Sequence, residues 1–478
     1  MRFIGNVEKD AQVRAVASGA LPSGDAVIVN SDGTVSVVAE TAEVIGCPNT
    51  FESGVTQEIS VAFDSSNNKV VIAYKDESDS NKGKAIVGTV GASSISFGSE
   101  VVFETGSTAE TVIVFDSSNN KVVVAYKDNG NSGYGTAIVG TVSGTSISFG
   151  TAVVFNSSAL GGIGATFDSD SNKVVVTYRD NNAGGDGTAI VGTVSGTSIS
   201  FGSSVAFTTS NTTDTSTVFD SSNNKIVIAY RDIQTTDIGT CVVGTVSGTS
   251  ISFGTPVVFE NAAVTWIAAA FDSNSNKVVI SYRVTSTTYG NSIVGTVSGT
   301  SISFGSPVVF DATNAKEISS TFDTNVNKVA VVYRDDGNSF YGTRILGSVS
   351  GTSISFDSPV VFESANTDNT SCTFDSTSNA IVIAYRDEGF FDRGTATFFK
   401  PSTFNLTSEN YIGFAAYTYA DTQSALVNST CTVDRNQSGL TAGQTYYVQS
   451  DGSLGTTAAD PSVVAGTAIS STEIIVKG

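Results

Sequence analysis

The chain has 478 residues, 40% hydrophobic and only 14% charged, with a formal net charge of −21 and no histidine. That length exceeds one ordinary core and points to several domains or a repeat array. The acidic balance argues against a nucleic-acid partner, and the missing imidazole excludes Ser-His-Asp triads, histidine general acid–base work and histidine metal sites. Ser, Thr, Asn, Gly and Val dominate the rest, a mixture for short strands and tight turns, so the expected class is all-β. Cys47, Cys241, Cys372 and Cys431 lack zinc-site or disulfide-scaffold spacing. No metal or other cofactor is implied.

Residues 1–45 carry no repeat. Met1-Arg2-Phe3-Ile4-Gly5 lacks the apolar core of a secretory leader, and no run approaches a membrane span. The expectation is a cytosolic product without a signal peptide and without membrane insertion. Leu21 to Gly33 reads as a strand entering an Asp-Gly turn.

From residue 46 a repeat begins. The phrase Phe-Asp-Ser-x-x-Asn-Lys-Val-Val-x-x-Tyr recurs, with variations, from Phe63, Phe115, Phe167, Phe219, Phe271, Phe322 and Phe374, at spacings of 52 or 51 residues. Each unit reads as four strands. In the second, strand a is Thr111 to Phe115, and Asp116 to Asn120 is a turn whose Asp and Asn bond their own backbone. Strand b is Lys121 to Tyr126 and strand c Thr136 to Val142. After a Ser-Gly-Thr-Ser turn comes strand d, Ile147 to Phe155, with Gly150 at a bend. Seven four-stranded units predict a seven-bladed β-propeller, in which radial closure protects strand edges. A β-solenoid, the competing architecture, has shorter coils.

The seventh unit is incomplete. After strand c, Thr395 to Phe399, no Ser-Ile-Ser-Phe-Gly segment follows. Cys47 to Ser53 resembles the strand d ending at Ser358 to Ser364, so the N-terminal segment is expected to supply strand d of the last blade. The predicted organisation is 1–45 and 403–478 as two parts of one small terminal β domain, with the propeller, 46–402, inserted between them. Leu440 to Gly452 parallels Leu21 to Gly33, which ties the two ends together.

Asn410 to Ala415, Gln437 to Val448 and Ser462 to Ile469 resemble a module of tail-fibre-like and other virion structural proteins of marine tailed phages. The propeller phrase resembles repeats in such proteins more loosely. The resemblance implies a virion location, a homo-oligomer in contact with other virion proteins, and attachment to the host surface. It carries over no catalytic residue.

The a–b and c–d turns are nearly uniform, whereas the b–c and d–a loops, expected together on the other face with Trp266 on the d–a side, differ, as in Glu77 to Lys82, Asn129 to Tyr134, Asn181 to Asp186 and Ile233 to Ile238. A residue common to every unit answers a structural demand, so function is expected on the variable face. Aromatics gather there in units five to seven: Trp266, Tyr289, Phe340, Tyr341, Phe390 and Phe391. These are the candidate ligand-binding residues, for a host-surface glycan stacked on their rings. The competing reading makes Trp266 a plug between blades and the tyrosines before glycine a packing habit. The repeated Tyr-Lys/Arg-Asp phrase, as at Arg179-Asp180, reads as pairing within each blade at the rim. The expected function is a non-enzymatic virion protein; a polysaccharide-degrading propeller enzyme and a bacterial surface adhesin are the alternatives.

Overall fold

The computed structural model describes residues 11–459 and 461–477; the Met1–Gly5 stretch lies outside them. Among the described residues the structure is all-β, with four single-turn 3-10 helices as the helical elements. The chain divides into two compact units, Ile45–Lys400 and residues 1–44 with 401–478.

In the larger unit the repeat folds as antiparallel strands. Strand b of the second unit is Lys121–Asp128, and its Val122 to Tyr126 are all buried. Alternate residues serve two different cores. Val122, Val124 and Tyr126 pack with Val71 and Ala73 of unit one, while Val123 and Ala125 pack with Val174, Val176 and Tyr178 of unit three. A strand buried on both faces reads as a continuous apolar run, and each such side chain contributes roughly 1.5–3 kcal/mol. The a–b turn forms as its residues dictate. Asp116 Oδ1 accepts from the Ser118 and Asn119 amides at 3.0 Å, and Asn120 takes φ +53°.

The d and a strands are not separate elements joined by a loop. They form one 16-residue strand, as in Val101–Asp116, Val153–Asp168 and Val205–Asp220. Its first part pairs with strand c of one unit and its second part with strand b of the next. A left-handed residue and a register shift reconcile the two pairings. The seven equivalent positions Glu58, Glu110, Gly162, Asp214, Trp266, Glu317 and Asn369 all have φ between +49° and +58°. Only between units five and six is the strand split, into Val308–Asp311 and Ala315–Asp323.

The incomplete seventh unit shows what the short Ser-Ile-Ser-Phe strand does elsewhere. Phe149 of that strand packs on Phe103 at 5.7 Å, and Phe103 also meets Tyr126 at 5.2 Å. A Cβ on Gly140 would strike Ile147 and Phe149. In unit seven, which lacks the strand, the position of Gly140 is Phe399, and Arg344 lies over its ring at 3.9 Å. Residues 46–55 supply the pairing that remains. Ala396 pairs with Asn49 and Thr395 with Thr50. Gly46 N–H donates to Phe398 O at 2.8 Å, as Gly98 does to Val87 and Gly150 to Val139 at 2.9 Å.

One glycine is set by the neighbouring unit. A Cβ on Gly98, Gly150, Gly202, Gly254 or Gly305 would overlap the threonine carbonyl of the next unit's c–d turn, Thr249 for Gly202. Unit six faces a neighbour without that turn, and there the residue is Asp357, bonded to Lys328 at 2.6 Å. Gly202→Ala is therefore expected to lower stability by about 2–3 kcal/mol, whereas Asp357→Ala should shift the denaturant midpoint little. Equal effects in the two variants would show that the turn contact is not the cause.

The smaller unit holds two five-stranded sheets of the same topology. One runs Gln12–Val16, Ser424–Asn428, Tyr411–Ala415, Ala26–Val29, Val35–Val37. The other runs Val433–Asp434, Ile474–Val476, Val463–Ala468, Thr445–Val448, Leu454–Gly455. Even the bulge recurs, between Val27 and Ile28 and between Tyr446 and Tyr447. The likeness of the two Asp-Gly hairpins is thus part of a whole duplicated sheet. Ile28, Tyr411 and Phe414 of the first sheet share a core with Tyr446, Val448 and Ile474 of the second. The repeat array leaves the first copy between its third and fourth strands, where Thr41 pairs with Thr403 and Glu40 with Phe404.

Candidate functional site

The b–c loops carry the differences between units. Each begins where strand b ends, and in most units the closing aspartate caps the turn. Asp128 Oδ1 accepts from Asn131 N–H, and Asp335 Oδ1 from Gly337 and Asn338 N–H. The loop tip then passes through left-handed backbone. The tip residues are Ser80 and Asn81, Ser132 and Gly133, Gly184 and Gly185, Thr236 and Asp237, then Thr288 alone in the shortened fifth loop. In units six and seven they are Ser339 and Phe340, and Phe391 and Asp392. Small or polar residues bear positive φ at modest cost; a phenylalanine does so against a steric penalty.

Phe340 (φ +64°) is 46% exposed and Phe391 (φ +63°) 76%, with Phe390 beside it at 50%. The Phe390 and Phe391 rings meet edge to face at 5.6 Å, and Arg393 stacks over Phe390 at 4.3 Å. Phe340 lies 5.9 Å from the Arg334 guanidinium. Tyr289 is exposed, and its carbonyl accepts from Val284 N–H at 3.0 Å. Tyr341 is half-buried at the start of its strand c. Trp266 occupies the left-handed kink of the joined d–a strand Val257–Asp272, half-buried against the core of unit six. Among the described residues no ring contact joins Phe340, Tyr289 or Trp266 to the Phe390–Phe391 pair.

Behind the aromatic loops of units six and seven lies a charged network. Asp368 takes Arg334 of unit six at 3.2 Å and also Arg386 of its own unit. Arg334 holds Asp336 at 2.7 Å, Lys316 holds Asp336 at 2.6 Å, and Arg386 also binds Glu388. Arg231 shows the simpler case, with Asp214 at 3.3 Å and Asp237 at 2.9 Å. The pairing of the Tyr-Lys/Arg-Asp cations therefore crosses from unit to unit as well as staying within one, and it involves the d–a strands that carry Asp214 and Asp368. In the acidic first loop, Asp76 and Asp79 hold Lys84 and Lys82 at 2.7 and 2.8 Å.

The carboxylates at the kink are poorly solvated. Burial pushes Glu58 upward, with Glu110 adding to the effect, and it pushes Asp214 upward against the opposing charge of Arg231. Glu317 is pushed up to about 8 by burial and then by Asp368. The unfolded chain releases this proton near the ordinary value of 4.5, and the folded chain keeps it until about 8. Stability contributed by Glu317 is therefore present at low pH and lost as pH rises through that window. Glu317→Gln is expected to flatten the fall and to stabilise the protein at pH 8.5 by roughly 1–3 kcal/mol. Parallel pH profiles for variant and wild type would remove Glu317 as its source.

Arg393 escapes a reading based on phrase matching, because it lies just outside the repeated phrase. Aligning the units does reveal it: Tyr134, Tyr289 and Tyr341 stand where unit seven has Arg393.

No protein-family model matches the chain, and no curated protein does. Solved structures do. BP39L lectin from Burkholderia pseudomallei is similar at TM-score 0.54 and 10% identity, over 74% of this chain and 99% of that one. The repeat array has a β-propeller fold. AofleA from Arthrobotrys oligospora aligns at TM-score 0.43 and 11% identity, over 72% of this chain and 96% of that one. A triple-arginine mutant of AofleA aligns at 0.45 and 12%, over 71% and 96%.

Proposed function

We propose that residues 46–402 form a closed seven-bladed propeller that binds glycan, without catalysis, through its b–c loop face. The observation that carries the glycan reading is the pair Phe340 and Phe391. Two large rings stand in solvent on backbone that resists them, where other units place serine, glycine, threonine, asparagine or aspartate. Strain of this kind persists where a surface function requires the side chain, and exposed rings flanked by guanidinium and carboxylate groups suit a sugar, with its apolar face and hydroxyl rim. The likeness to a lectin supports the same ligand class.

Closure is supported by bonds between the last and first units that repeat those between consecutive ones. Ser371 Oγ accepts from Val61 N–H at 3.2 Å, as Ser60 Oγ does from Ile113 N–H at 3.1 Å. Thr377 reaches Asn68 at the turns, as Ser118 reaches Asn172. Two depressions of about 500 and 390 Å³ are lined by the inner strands of all seven units and share Thr373.

The resemblance of the terminal segments adds a setting. The protein is a virion component, with the duplicated terminal unit serving homo-oligomeric assembly and the propeller presented to the host surface. The test is a glycan array with wild type and a Phe340→Ala, Phe391→Ala double variant. Loss of at least tenfold in apparent affinity, with melting unchanged, is expected. Equal binding by both would sink the loop-face assignment, and release of reducing ends from a bound polysaccharide would overturn the non-catalytic one.

A further inference from the structure

This inference rests on the glycan reading and narrows it to one loop and one ligand class. Unit seven departs from its siblings in three ways at once. Its tip carries two adjacent exposed rings. Arg393 stands where units two, five and six have tyrosine, and it has no ion pair among the described residues; its guanidinium lies over Phe390 instead. Finally, Asp387 makes no side-chain cap bond, unlike Asp128, Asp180 and Asp335.

Polar groups without partners gather around the same loop. Arg393 Nε is a buried donor with no acceptor, Arg386 Nε meets only Asp392 Oδ1 at 3.9 Å, and Asp387 Oδ1 and Asn366 Oδ1 are buried acceptors with no hydrogen-bond donor. Such groups are rare in folded proteins and call for a cause. Here the set is mixed. An anion would satisfy only the donors and would meet Asp387, Glu388 and Asp392 in the same loop. A cation would satisfy only the acceptors and would meet Arg386 and Arg393. A hydroxyl both donates and accepts, and it brings no charge against either group.

We infer that the Glu388–Arg393 loop is the principal saccharide site and that it takes an uncharged sugar. Phe391 forms the stacking platform, held edge-on by Phe390, which Arg393 holds in turn. Neighbouring hydroxyls of the ring bond to the guanidinium edge of Arg393 and to Asp387, after a side-chain rotation that uncovers them.

The test uses the full chain and saturation-transfer NMR with matched probes: methyl α-D-glucopyranoside, methyl β-D-galactopyranoside and D-glucuronate. Transfer to at least one neutral glycoside is expected, with glucuronate about tenfold weaker. Phe391→Ala and Arg393→Leu should each weaken the neutral probe about tenfold, with the melting temperature unchanged. Glucuronate bound as tightly as the neutral probes overturns the ligand class. Neutral binding that survives Phe391→Ala but falls with Phe340→Ala overturns this location and leaves the loop-face reading standing. No binding of any probe by wild type overturns both.

Discussion

A chain carrying Thr50→Cys and Thr395→Cys, with Cys47 and Cys431 changed to serine, is expected to form a disulfide and gain about 4 kcal/mol. Thr50 and Thr395 are direct partners across the antiparallel pair that joins the N-terminal segment to the seventh unit. Cys241 and Cys372 are buried and do not compete. The bond closes a very long loop, and the restriction of the unfolded chain grows with loop length. In the proposed ring this is the one c–d pairing, within the last blade, whose two strands are not consecutive in the chain, so unfolding should start there in the reduced protein. The matching loss-of-function experiment deletes residues 46–55 and keeps the strands of the terminal unit. It removes the strand, bares the edge of Arg393–Lys400 and uncovers Phe398, against which Gly46 packs. Exposed edges recruit other chains, so aggregation and loss of a cooperative transition are expected. An oxidised variant with the reduced protein's denaturant midpoint, or a cooperative deletion variant, would count against closure by this strand.

Excising the repeat array should leave the smaller unit folded. Joining Thr41 to Thr403 through a short Gly-rich turn converts their pairing into an ordinary hairpin. Every strand of both five-stranded sheets is retained, as is the shared core of Ile28, Phe414, Tyr446, Val448 and Ile474. The expected product is a β-rich protein with a cooperative melt and dispersed amide resonances. A molten or insoluble product would mean that the array is needed to hold the first sheet together. The same shortened protein tests the assembly proposal: a homo-oligomer by light scattering is expected, and a monomer at high concentration would weigh against it.

The repeat was legible because its demands are local. Asp116, Ser118, Asn119 and Asn120 make their turn within five residues, and Val122 to Tyr126 announce a strand buried on both faces wherever the phrase occurs. The candidate aromatics were legible as an anomaly, large rings in loops where other units have small residues. Their geometry was not, because φ at Phe340 and Phe391 and the stacking of Arg393 depend on how the loop returns to strand c. The joining of d and a strands was hidden for a similar reason. Glu110 and Trp266 have no turn signature, and a left-handed residue within a strand is imposed by the two registers it must satisfy.

The sequence by itself determined the strand-rich unit, its number of copies and the missing segment of the seventh, because hydrogen bonding in tight turns and alternation along strands act over a few residues. Tertiary structure alone decided what depends on neighbours. It explained why position 357 admits aspartate where its equivalents are glycine, and why Phe399 replaces another glycine. It turned two similar hairpins into a duplicated sheet, and it separated the exposed Phe340, Phe390 and Phe391 from the half-buried Trp266. Those outcomes are set by space and partners supplied from other units or from strands far along the chain, and no short stretch of sequence contains them.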